Sequence, residues 1–321
     1  MIGAAMIGTA MIGAVDIGGT KIAVGVVDGG RVLDKTEFPT DVPSGFETAI
    51  RRIATALREC AQHAGVKLDG IGIGCAGQLD AATGLLGSVN NLPGWEHCNP
   101  VEILAKEFGL PVALENDADA VALGEVQWGA LRSKSRLVFV TIGTGIGASV
   151  ILDGKIYRGV RHSHPEIGHL IIDPAGPMCT CGAQGCWESL ASGPAMAQWA
   201  KQNAPADRAN LDLTARQLCA LAEQGDEWAQ RAVEHEARYL GLGLANLVDI
   251  FVPQAIILGG SVMKSAHLFM DRIRRVIEQN CCLVPYECVE IVLASLGADV
   301  GLIGAAEVWR HRFERCGGRI E

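Results

Sequence analysis

The 321-residue sequence contains no apolar run long enough to cross a bilayer, no cluster of lysines or arginines, and no glycine recurring at every third position. The first absence excludes a membrane-spanning helix. The second, together with 27 basic against 36 acidic residues and a net charge of −9, argues against nucleic acid or an anionic membrane as the main partner. The third excludes a collagen-like chain, and no repeat of solenoid period is present. The eleven cysteines are odd in number and sit in a long chain. A secreted disulfide framework is therefore not expected, and reduced thiols, some of them on a metal, fit better. These exclusions leave a cytoplasmic, globular protein that acts on a small, soluble metabolite.

Glycine is what the chain has in excess. Average usage of about 7% would give roughly 22 glycines, and there are 40. Such a surplus marks places where the backbone turns with positive φ or comes close to a ligand. The length exceeds what one hydrophobic core usually supports, so two domains are expected. Residues 1–10 are set apart as an N-terminal extension: the pentad opening at Met1 recurs at Met6 and Met11, uncharged and without the basic start of a signal peptide.

Periodicity orders the rest. A strand over Ile12 to Val15, a glycine turn, and strands over Lys21 to Val27 and Arg31 to Phe38 come first. Ile50, Ile53, Leu57, Cys60 and Ala64 recur at helical spacing, predicting a helix over 45–64. A buried strand near Gly70 to Gly74, a loop from Gln78 to Trp95, a helix at 100–108, a strand at Pro111 to Leu114 and a helix at 117–130 follow. The second half has a strand pair (Arg136 to Thr141, Gly147 to Leu152) and an irregular segment at 154–190. A long helix striped by Val233, Ala237, Leu240, Leu244 and Leu247 precedes a short strand ending at Gly259 and Gly260. The last helix covers 300–315.

Several motifs carry chemistry. Asp16-Ile17-Gly18-Gly19-Thr20-Lys21 lies between two strands, where glycines let backbone N–H groups converge on a phosphate, Thr20 and Lys21 add donors, and Asp16 is placed to hold Mg²⁺. An ordinary hairpin has the same turn residues. Gly143-Thr144-Gly145-Ile146-Gly147 is a second such loop, and two of them suit a nucleoside triphosphate. Asn116 and Asp117 open a helix as ordinary caps do. Asp117 is also the candidate general base for a hydroxyl attacking a γ-phosphoryl group. His169, Cys179, Cys181 and Cys186 form a Cys₃His set for a structural Zn²⁺. Gly72, Gly74 and Gly77 spell G-x-G-x-x-G, but no helix follows, so a dinucleotide site is not expected. That loop instead suits a polar substrate, with the Gly77 backbone and the Asn91 amide as ligands.

Taken in order, Asp16 to Lys21, Glu115-Asn116-Asp117, Gly143 to Gly147, Glu166-Ile167-Gly168-His169 and Cys179 to Glu188 resemble the ROK family of bacterial sugar kinases. The resemblance runs from about Ile12 to the end of the chain. It implies the actin-like ATPase (ribonuclease H-like) fold, with two α/β domains, 11–117 plus 304–321 and 118–303, and a cleft between them that holds the active site. It further implies Asp117 as catalytic base, Asn116, Glu166, His169 and Glu188 as sugar ligands, and His169 shared between sugar and zinc. Gly259 and Gly260 fall near the adenosine, and Gly297, Gly301 and Gly304 near a hinge. A homodimer is the family expectation. The implied reaction is transfer from Mg·ATP to a hexose hydroxyl, at C6 of glucose. His164-Pro165-Glu166 departs from the glucokinase pattern and keeps fructose, mannose and N-acetylhexosamines open. The family also contains sugar-responsive repressors. With some ten residues before the first strand and Asp117 present, the kinase reading is preferred.

Overall fold

The computed structural model describes residues 10–87, 92–129, 131–132, 134–160 and 163–315. In chain order the strands and helices begin with β1 (Met11–Ile17), β2 (Lys21–Asp28), β3 (Arg31–Pro39), α1 (Phe46–Ala64) and β4 (Gly70–Cys75). The short pair β5 (Leu79–Asp80) and β6 (Leu85–Leu86) precedes α2 (Pro100–Phe108), β7 (Val112–Asn116) and α3 (Asp117–Trp128). The second half contains β8 (Leu137–Ile142), β9 (Ile146–Leu152), β10 (Lys155–Ile156), α4 (Trp187–Ala191), α5 (Gly193–Gln202) and α6 (Ala215–Glu223). The chain closes with α7 (Glu227–Phe251), β11 (Ala255–Gly259), α8 (Ala266–Asn280), β12 (Glu290–Leu293) and α9 (Val300–Arg310). No helix among the described residues is long and apolar enough to cross a membrane.

Two compact units result. Unit 1 comprises the described residues of Met1–Ser133, Arg158–His164 and Ser295–Glu321; unit 2 comprises Lys134–Tyr157 and Pro165–Ala294. The boundaries expected at 117/118 and 303/304 are corrected. Helix α3 packs on α9 and on β4, so its contacts keep it in unit 1, and residues 158–164 join it there.

Each unit is built on a five-stranded sheet, ordered β3-β2-β1-β4-β7 in unit 1 and β10-β9-β8-β11-β12 in unit 2. In both, an antiparallel meander of three strands is extended by two parallel strands. The two glycine loops singled out in the sequence therefore occupy the same place, the first hairpin of each sheet. The inner parallel strands β4 and β11 are buried along their whole length, as helices on each side of a sheet require.

In unit 1, Ile50, Ile53 and Leu57 of α1 bury one face against Val15, Ile22 and Val24. The opposite face carries α9 and explains the G-x-G-x-x-G text. A Cβ on Gly72 would lie 1.8 Å from the Ala305 carbonyl oxygen. The glycines of β4 thus let a helix sit directly on the sheet; they are a packing device, not a ligand turn.

In unit 2, the α7 stripe lies in one core with Val138, Val140, Ile256 and Phe269. Glu236 falls on that stripe, fully buried, and neither carboxyl oxygen has a hydrogen-bond partner among the described residues. Desolvation holds its carboxyl well above the ordinary value of 4.5. A carboxyl with a raised folded-state pKa costs stability as pH climbs from the unfolded pKa toward the folded one. Glu236→Gln is therefore expected to raise Tm at pH 7.5, with the gain vanishing toward pH 4.5. Equal Tm values for the two proteins across that range, measured by calorimetry, would refute the buried-acid reading.

Candidate active site and metal centre

The parallel strand β7 hands directly to α3, so the residues at this junction are held by both elements. Asn116 is the N-cap: its Oδ1 accepts from the Ala118 N–H (2.9 Å) and its Nδ2 donates to the Gly77 carbonyl (3.2 Å). Asp117 is the first helical residue, and one of its oxygens accepts from the Ala118 N–H at 2.8 Å. Desolvation pushes the Asp117 carboxyl up, while that N–H and nearby His164 pull it down; the net direction is upward. Asn116 was expected on the sugar; its amide already spans the cap and Gly77, so it joins two site segments whatever else it binds.

The Asp16 hairpin reaches the same region of unit 1. Burial first, and the charge of Asp117 second, push the Asp16 carboxyl up to about 6. Its Oδ2 lies where a Cβ on Gly301, in the first turn of α9, would stand at 2.2 Å. Gly301 was expected at a hinge; the structure assigns it to close approach instead. Two features of the turn expected to cradle a phosphate are seen in its geometry. Neither Gly18 nor Gly19 adopts left-handed φ, so the turn is not a nest of that type. The Gly18 N–H is consumed by the Lys21 carbonyl (2.9 Å) and the Lys21 ammonium pairs with Glu37 (2.9 Å).

Beside Asp117 lies a group that the sequence did not disclose. Asp119, with its side chain wholly buried, has Oδ2 2.7 Å from Arg158 Nη2 and 2.7 Å from His164 Nδ1. The same guanidinium nitrogen is 2.6 Å from Glu115 Oε1. Burial pushes the Glu115 carboxyl up and Arg158 opposes it. Glu115, Asn116, Arg158 and His164 line, with Gly77 and Ser163, a cavity of about 300 Å³ within unit 1. The alternation of Glu115, Asp117 and Asp119 was visible in the sequence, but their cation arrives from some forty residues downstream. Asn91, expected among the sugar ligands, lies outside the described residues.

In unit 2, His169, Cys179, Cys181 and Cys186 converge, with one ligand atom from each lying within 4.8 Å of the others. Cys179 Sγ is 3.5 Å from His169 Nδ1, and Cys181 Sγ is 3.6 Å from Cys186 Sγ. A tight turn with Gly182 at φ 94° returns the chain between Cys181 and Cys186. Cys186 is the N-cap of α4. One turn in, Glu188 Oε2 accepts the Ile146 N–H at 3.0 Å and occupies the space a Gly145 side chain would need, 2.1 Å from its Cβ. Glu188, expected on the sugar, thus seats the glycine loop with one oxygen. Glu166 is exposed just before the short helical turn that carries His169.

The glycine loop itself divides. Gly143 and Thr144 line a cavity of about 760 Å³ with Thr214, Arg216, Ser261 and Lys264, a size suited to a drug-sized ligand. Gly147 sits inside β9, paired with Thr141, and not at the turn. Gly259 ends β11, and Gly260, at φ 92°, turns the chain toward Ser261 on that cavity's wall.

Residues 12–312 match the ROK family. The chain belongs to the ROK family. A glucokinase of Thermotoga maritima is 33% identical over 305 residues, 92% of this chain and 96% of that protein. The crystal structure of a ROK family glucokinase from Streptomyces griseus, in complex with glucose and AMPPNP, aligns with a TM-score of 0.79 at 35% identity, covering 93% of this chain and 99% of that one. A xylose repressor of Bacillus subtilis is 31% identical over 246 residues, 77% of this chain and 62% of its own length. The fold of this ROK protein is the actin-like ATPase fold, and the matching sheet order of its two units is that fold's signature in the present chain.

Proposed function

We propose that this ROK protein is an ATP-dependent sugar kinase that transfers the γ-phosphoryl group of ATP to a hexose, with glucose as acceptor at its C6 hydroxyl. The observation that carries the reading is Asp117, a desolvated carboxylate with a raised pKa, fixed at a strand-to-helix junction beside the cavity that contains Gly77 and Asn116. A general base works best when its pKa is drawn toward the working pH. The similarity to glucokinases along nearly the whole chain supports the same assignment.

Asp117 takes the hydroxyl proton, with Asn116 and Gly77 on the acceptor side. Glu166, His169 and Glu188 are assigned to sugar hydroxyl groups, and the cavity at Gly143 and Thr144 to the nucleotide. Mg²⁺, when bound, neutralises phosphate charge. Asp16 fits it: its carboxyl carries a raised pKa partly because Asp117 is near, a repulsion that a cation relieves. Zn²⁺ fits the Cys₃His cluster, since the donor set is that of a closed structural site and the spacing of the atoms matches thiolate ligands about 2.3 Å from one metal. The ion would cross-link the loop that leads into α4 and hold Glu188 against Ile146.

A coupled ATP assay across glucose, fructose, mannose, N-acetylglucosamine and N-acetylmannosamine tests the reading. Glucose is expected to give the highest kcat/KM. Another sugar in first place would overturn the acceptor assignment. Absence of turnover on every sugar, with tight sugar binding retained, would favour the repressor-like role of the Bacillus relative.

A further inference from the structure

We propose that Asp119 is the positioning residue of the acceptor side: it holds Arg158 and His164 as one wall of the sugar cavity, and so governs sugar binding without touching either substrate. The proposal rests on the kinase reading.

Three observations carry it. The described residues of Arg158–His164 belong by their contacts to unit 1, although the residues directly on both sides of them in the chain, Lys134–Tyr157 and Pro165–Ala294, belong to unit 2. Its ends are fastened to α3 by the same atom, Asp119 Oδ2, which takes Arg158 at the start of the segment and His164 at its finish, each at 2.7 Å. Both fastened side chains then line the cavity of about 300 Å³ that includes Gly77 and Asn116.

Burial makes this clasp strong in the sense that matters. The Asp119 side chain is 0% exposed, and those of Arg158 and His164 are 11% and 15% exposed. Removing one member of a buried charge set leaves the others uncompensated, which is far more disruptive than removing a surface pair. Asp119 sits two residues beyond Asp117, in the first helical turn. It is therefore rigidly related to the base, and the cavity wall is registered to the base through it. Glu166, proposed for sugar contact, follows His164 by two residues, so slack at the clasp is passed along the chain to that position.

The geometry discriminates between variants. His164 presents Nδ1 to Asp119. An asparagine at 164 can place an amide N–H near the position of Nδ1, whereas a glutamine amide falls nearer that of Nε2. Asp119→Asn keeps the shape and removes the charge. Steady-state kinetics of the zinc-replete, full-length protein are expected to show sugar KM raised by ~10-fold or more in Asp119→Asn and in His164→Gln, with the KM for ATP within ~2-fold of wild type in both. His164→Asn is expected to restore most of the sugar affinity. In the double variant Asp119→Asn/His164→Gln the loss is expected to be no larger than that of the worse single variant, because both break one contact.

Parallel rises in the two KM values, equal damage from His164→Asn and His164→Gln, or losses that multiply in the double variant would each overturn the assignment. Should Asp119→Asn not fold, the two His164 variants decide the matter alone. Failure of the kinase reading looks different: wild type itself then phosphorylates no sugar.

Discussion

Replacing Asp117 by asparagine is expected to lower kcat by about 10²- to 10⁴-fold, the usual contribution of a general base, with the fold and nucleotide binding intact. The fold should tolerate the change because helix capping at this junction rests on Asn116, whose Oδ1 takes the Ala118 N–H. The same argument fixes a pH signature. A protonated carboxyl cannot accept the hydroxyl proton, so kcat/KM of the wild type rises with pH through the pKa values of Asp16, about 6, and of Asp117, raised by desolvation. Below that window both acids are protonated and activity is lost; above it both are charged. Asp117 is itself the second cause, after burial, of the raised Asp16 value. The residual activity of Asp117→Asn is thus expected to show its acid midpoint displaced to lower pH. Near-normal kcat in the variant, measured at saturating sugar and ATP, would remove Asp117 from the reaction.

Loss of the metal centre should have the second large effect. Purified protein is expected to contain one equivalent of zinc by elemental analysis, and Cys186→Ser or exhaustive chelation is expected to cut kcat/KM by at least ~10-fold. The route is structural and can be followed atom by atom. Cys186 caps α4, α4 presents Glu188, and Glu188 holds the Ile146 N–H above a glycine that leaves room for it. Without the cross-link the thiols of a Gly-rich loop have few apolar contacts to keep them together; Cys181 is exposed. Hydrogen exchange should rise over residues 169–188 and at Ile146, and activity should return with Zn²⁺ but not with Mg²⁺. Full activity in metal-free protein would show that the four side chains cluster for another reason.

The residues that were legible in the sequence share one property: their partners are close in the chain or their chemistry is unmistakable. The Cys₃His cluster is of this kind, since Cys179, Cys181 and Cys186 lie within eight positions. The β1–β2 hairpin, the helix at 45–64 and the α7 stripe follow from local pattern. Asp117 was named from its place after a short strand, and the structure puts it at a strand-to-helix junction.

What was misread depended on distance. Gly72 and Gly301 spell turn or hinge in one dimension, yet each is small because α9, more than 200 residues from β4, lies against the sheet and against Asp16. Lys21 is expected at a phosphate, and the sequence does not show that the neighbouring strand β3 also brings Glu37 to within 2.9 Å of its ammonium. Glu236, three residues from Val233 and four from Leu240, lies on the buried stripe of α7.

By itself, the sequence determined the family, the two-domain α/β fold, the Cys₃His cluster and the candidate base, because these depend on short motifs whose chemistry is fixed by residue type and order. Only the tertiary structure decided where the domain boundary runs, why β4 is glycine-rich, and that Asp119, Arg158, His164 and Glu115 form one buried charge set beside Asp117. The reason is physical: ion pairing and close packing act between atoms a few ångströms apart in space, and nothing in the spacing along a chain of 321 residues specifies which distant side chains fall within that range.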